Sequence, residues 1–146
     1  MESTIVKKNQ SHQLLFAGML LFFLGLLVGL AAPVFANPRM AVSSHMEGIL
    51  NGIFLIVLGL IWDRIQVTDH WLNITYWLVL YGTFVNWFAI MIAAIFNAGK
   101  MLGIVANGKE GAALPEAIVS FCLITLTLAM LISCIIILTG LWRNRK

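Results

Sequence analysis

The sequence predicts an all-α integral membrane protein: a four-helix bundle forming a single transmembrane domain over residues 1–146. Three observations carry that prediction. The chain is 61% hydrophobic and only 10% charged, whereas soluble domains carry about 25% charge. Its apolar residues gather in four long runs, 14–36, 41–62, 71–99 and 117–142, free of Asp, Glu, Lys and Arg except for Glu47, which lies with His45 in the second. Each run is long enough for about 30 Å of hydrocarbon, which takes about 20 helical residues. Basic residues fall between the runs, as at membrane edges. The formal charge of +3 therefore marks interfaces. No basic tract with interleaved aromatics is present, so nucleic acid is not an expected partner.

Backbone polar groups in lipid must be satisfied within the chain, so each run is expected to be helical, over about 13–35, 42–65, 70–99 and 114–142. The first run has the outline of a secretory signal: Lys7 and Lys8, an apolar stretch, then Val34-Phe35-Ala36. Signal cores are about 7–15 residues; this one is longer and reads as a retained helix ending near Pro33. Trp62, Trp71 and Trp142 fall at the expected interfaces. Pro115 suits the first turn of the fourth helix. The last loop, "KMLGIVANGKEGAALPE" (100–116), is glycine-rich and half apolar. It reads as an interfacial loop or as a lid over an outer-side site.

Lys7, Lys8, Arg64, Arg143, Arg145 and Lys146 lie on one side, and Arg39, Lys100 and Lys109 on the other. The excess puts both termini in the cytoplasm, in a bacterial-type inner membrane crossed several times. Cys122 and Cys134 sit on different faces of one apolar run and read as small core residues. No zinc or c-type haem motif occurs.

The stretch "SSHMEGILNG" (43–52) is the anomaly. Ser44 and Glu47 match a capping box at the outer end of the second helix, and Glu47 is within plausible reach of Arg39. Gly48 and Gly52 lie nearly on the face of His45. That bare face suits either the approach of another helix or a flat macrocycle with its metal at the imidazole. A histidine near a helix N-terminus is biased towards the neutral, ligating form. Asn51 lies one turn from Glu47, and an asparagine inside a span seldom faces lipid. On the third helix, Asn86 falls at the depth of Asn51, Asn97 near His45, and Tyr81 deeper.

"NPRM" (37–40), "SSHMEGILNG", "FLIVLGLIW" (54–62) and "YGTFVNW" (81–87) resemble the hydroxylaminobenzene mutases. The element formed by His45, Asn51 and Gly52 is similar to one in the related styrene oxide isomerase family of small haem-binding membrane isomerases. The likeness covers roughly residues 14–100 and is thin in the fourth helix. It implies ferric haem b as cofactor, His45 as its iron ligand and a homotrimer. It also places Asn51 in the pocket, with Tyr81 or Asn86 and Glu47 as further catalytic residues. Gly48 and Gly52 would lie against the haem, with Arg39 and Lys100 at its propionates. The relatives' acidic residue on the third helix has no counterpart here.

The implied substrate is a small aromatic one. Aryl hydroxylamine to aminophenol and epoxide to aldehyde both begin with heterolysis of a bond to oxygen. Neither consumes an electron or a second substrate, and ferric haem would serve as a Lewis acid. The expected function is an intramolecular mutase converting hydroxylaminobenzene to 2-aminophenol, in aromatic compound degradation. The alternatives are an epoxide isomerase of the styrene oxide type and a non-catalytic haem-binding anchor. His12 and His70 are expected on the cytoplasmic side, far from His45, which disfavours bis-histidine ligation. A proton-coupled exporter would want a carboxylate deep in a span, and Glu47 is expected at a helix end.

Overall fold

The computed structural model describes residues 2–144; Arg145 and Lys146, counted above for orientation, lie outside them. There are four long helices: α1 (Glu2–Ala31), α2 (Pro38–Ile61) and α3 (Asp69–Phe96), joined by short turns, and α5 (Ala113–Arg143), which follows the longer loop 97–112. A single-turn helix, α4 (Gly103–Ala106), lies in the last loop. Each long helix is long and apolar enough to cross a membrane. The all-α membrane class is as the sequence predicts.

The ends differ from expectation, and one difference matters for the site. α1 starts at Glu2, so Lys7 is a helical residue. Its ammonium donates to the carbonyls of Asp63 (3.1 Å) and Ile65 (3.0 Å), just past the C-terminus of α2, where a cation is favoured. α2 starts at Pro38, with Asn37 as its cap. The Asn37 side chain accepts from the Met40 amide at 3.3 Å, and Pro38 occupies the first helical position, where no amide hydrogen is needed. The capping box of Ser44 and Glu47 is thereby corrected: both residues lie well inside the helix. The Ser44 hydroxyl instead donates to the Trp87 carbonyl of α3 at 3.3 Å.

α1 and α2 meet backbone to backbone. A Cβ added to Gly48 would lie 2.5 Å from the Gly25 Cα, and one at Gly52 would lie 2.7 Å from the Gly18 carbonyl oxygen. Small residues permit such approach, which drives packing where lipid offers no hydrophobic gain. α3 packs on α2 and α5 packs on α3, while α1 and α3 touch only slightly. The bundle is therefore an open, bent row. Phe121, Ile124, Leu128, Leu131 and Leu138 of α5 remain exposed along its outer side.

Large residues fill the half of the core nearer the chain termini, among them Leu14, Leu21, Leu55, Trp62, Tyr76 and Val79. Alanines dominate the other half: Ala41, Ala93, Ala94, Ala98 and Ala106. The loop before α5 is stitched to this half. The buried Glu116 carboxylate accepts from the amides of Lys100 (3.1 Å) and Gly111 (2.7 Å). The Asn37 amide group donates to Asn97 at 3.0 Å. These bonds tie the loop to the helix ends.

Candidate functional site

Because α2 starts at Pro38, His45 lies about 10 Å from the N-terminal end of the helix, at 1.5 Å per residue. It is half-buried. Its Nδ1 lies 2.8 Å from the Gly25 carbonyl oxygen. A carbonyl only accepts, so Nδ1 carries the proton and Nε2 the lone pair. This is the arrangement in which ligating histidines are usually held. The ring borders a depression of about 420 Å³ between α1 and α2, lined by Leu26, Gly29, Leu30, Val42 and His45.

The sequence left two occupants for the bare face of Gly48 and Gly52. In the structure the occupant is α1, with Gly25 against Gly48 and Gly18 against Gly52. Neither glycine is accessible to a flat ring, so their assignment to cofactor binding is corrected. The wall beside the imidazole is supplied instead by Gly29 and its neighbours on α1.

Glu47 and Asn51 project from the other flank of α2, about 200° and 240° around from His45 at 100° per residue. Glu47 Oε2 accepts from Asn86 Nδ2 at 2.6 Å and from Asn51 Nδ2 at 3.3 Å. The depth match between Asn51 and Asn86 thus leads to a shared carboxylate rather than an amide pair. Both amides use Oε2, which leaves Oε1 for another partner. Such a group inside a span is costly and marks function by default.

Other expected members are elsewhere. Asn97 does not reach His45; it ends α3 in the left-handed conformation (φ 59°) and pairs with Asn37, its neighbour at that height. The Tyr81 hydroxyl lies 2.7 Å from Thr125 Oγ1 of α5. The Thr125 hydroxyl already donates to the Phe121 carbonyl, so Tyr81 is the donor. Tyr81 therefore faces α5, away from Glu47, Asn51 and Asn86, and its expected place beside them is corrected. Arg39 is exposed in the first turn of α2; Glu47 takes its hydrogen bonds from the two asparagines instead. Lys100 is exposed as well.

Sequence reasoning missed Gly18, Gly25 and Gly29. Their spacing of seven and four puts them on one face of α1, a small-residue pattern that could have been read beside Gly48 and Gly52. It also missed Trp87, which packs on Gly48 and whose buried indole N–H has no hydrogen-bond partner. Among the described residues, no three His, Cys, Asp or Glu gather as a metal cage. A lone imidazole with a locked ring suits a metal that brings its own in-plane donors, as haem does.

The styrene oxide isomerase family model matches residues 10–142. The chain belongs to the styrene oxide isomerase family. Among relatives, it is 44% identical to hydroxylaminobenzene mutase HabA of Ectopseudomonas oleovorans, over 88% of this chain and 97% of the relative. It is 42% identical to hydroxylaminobenzene mutase HabB of the same organism, over 90% of this chain and 80% of the relative. No solved structure matches the chain. The reading of the chain as an isomerase stands at that level, since mutases are isomerases. The match runs through α5, where the likeness seen from sequence was thin.

Proposed function

We propose that this member of the family is a mutase that rearranges an aryl hydroxylamine, such as hydroxylaminobenzene, to 2-aminophenol, with ferric haem b as cofactor. The observation that carries this reading is a pair of polar devices inside one span: an imidazole with its Nε2 lone pair free, and a carboxylate held by two amides. The substrate class is supported by the two related hydroxylaminobenzene mutases.

His45 would hold the haem through Nε2, with Leu26, Leu30 and Val42 as apolar wall. Arg39 lies at the outer end, where a propionate would find a cation. The haem, when bound, supplies a Lewis acid for the hydroxylamine oxygen. The chain's residues handle the rest. In the rearrangement the N–O bond breaks, oxygen bonds to the ortho carbon, that carbon loses a proton and nitrogen gains one. Atoms balance without a redox partner. Glu47 Oε1 would take the ring proton and return one at a haem presented by a neighbouring copy, with Asn51 and Asn86 fixing its carboxylate. The apolar surroundings keep water from trapping the cationic intermediate.

His45 and Glu47 flank a stripe of exposed apolar residues on α2, Val42, Met46, Leu50, Ile53 and Val57. Lipid is a poor cover for two polar groups at that depth. A second copy laid on the stripe would cover them and could join the two devices across an interface. This supports an oligomer, a trimer by the family resemblance. Lys7, Arg64 and Arg143 at one end favour an inner membrane with both termini in the cytoplasm.

The exporter alternative regains its deep carboxylate in Glu47, but the family membership weighs against it. The epoxide reading is kept because the family takes its name from that reaction. An absorption spectrum of the purified protein tests the cofactor: a Soret band lost in His45→Ala is expected, and active protein without haem would overturn that part. Assays with phenylhydroxylamine and styrene oxide separate the substrates; turnover of the epoxide alone would replace the hydroxylamine reading.

A further inference from the structure

We infer that Gly29 of α1 is a positioning residue for His45: it leaves the space in which the imidazole turns Nδ1 to Gly25 and Nε2 outward. The inference rests on the reading of His45 as the haem ligand. At most close α1–α2 glycines a new methyl would strike backbone: Gly18 meets the Gly52 carbonyl at 2.7 Å, and Gly25 meets the Ile49 amide at 2.9 Å. Gly29 differs. The three nearest atoms to its Cβ are all in the His45 ring, Nδ1 at 2.5 Å, Cε1 at 2.9 Å and Cγ at 3.0 Å. The ring therefore lies on the bare Cα of Gly29. From there Nδ1 reaches the carbonyl oxygen of Gly25, one helical turn away, at 2.8 Å.

The same packing gives the ring one orientation. A methyl at position 29 leaves both backbones where they are and displaces the imidazole, which breaks the bond to Gly25. With that bond gone, nothing selects the Nδ1–H tautomer, and Nε2 no longer has a fixed direction. Outer-shell partners that orient a ligating histidine typically account for 10–100-fold in metal affinity.

The test compares Gly29→Ala with Gly18→Ala in purified, full-length protein carrying ¹⁵N-labelled histidine. Imidazole nitrogen shifts report the tautomer, and haem titration reports affinity. The expected result for Gly29→Ala is a mixed His45 tautomer and haem binding weakened by about tenfold or more, with helix content and oligomer retained. Gly18→Ala should lower stability and leave the tautomer alone. Unchanged shifts in Gly29→Ala, or equal changes in both variants, would overturn the inference. If wild type binds no haem yet its Nδ1–H tautomer is lost in Gly29→Ala, the haem reading fails while the positioning role stands.

Discussion

Gly48→Ala tests the α1–α2 contact directly. An added Cβ would lie 2.5 Å from the Gly25 Cα and 3.0 Å from both the Gly25 amide nitrogen and Trp87 Cδ1. Carbon atoms rest at about 3.5–4.0 Å, so the helices must part by about 1 Å or more. Gly25 has no side chain to swing aside, which puts the cost near the upper end of the 1–3 kcal/mol typical of overpacking. Alanine returns up to about 1 kcal/mol of helix propensity. The net loss is about 2 kcal/mol, roughly 30-fold in the unfolding constant. Unfolding in mixed micelles, followed by far-ultraviolet circular dichroism, measures it. Gly103→Ala, whose Cβ meets nothing within 4 Å, should show no loss. A Gly48→Ala protein with unchanged stability that had lost its haem would refute the reasoning, because the glycine face would then belong to the cofactor.

Asn86→Leu removes the 2.6 Å bond to Glu47; turnover should fall on the order of 10²-fold, and unaltered turnover would remove Glu47 from the proton path. Tyr81→Phe loses only the bond to Thr125. It should cost about 0.6 kcal/mol of stability and leave turnover unchanged; a large activity loss would put Tyr81 back in the site. Glu116→Ala strips the acceptor from two amides, Lys100 and Gly111, which should cost roughly 2–4 kcal/mol. Hydrogen exchange should quicken across 97–112, and an unaltered exchange pattern there would show that the loop is held by other contacts.

The sequence by itself determined the class of the molecule and the place of its anomaly. Apolar runs of membrane length and basic residues at their ends reflect one-body preferences for lipid or water, and these need no knowledge of neighbours. His45, Glu47 and Asn51 stood out for the same reason, as polar groups where lipid should be. Local rules went further astray. Ser44 and Glu47 satisfy a capping pattern, but Asn37 and Pro38 satisfy one earlier, and the helix starts at the first.

Only the tertiary structure decided what each group faces. Periodicity placed Gly48 and Gly52 beneath His45 but could not say whether a helix or a haem lay on them, since a bare helix face admits both. The glycines of α1 supplied the answer: two smooth backbones gain more van der Waals contact from each other than from disordered lipid chains. The same packing set the His45 ring on Gly29 and turned Glu47 towards Asn86, on opposite flanks of α2. Those are two-body facts. They depend on which helices are neighbours, and no pattern within a single span contains that.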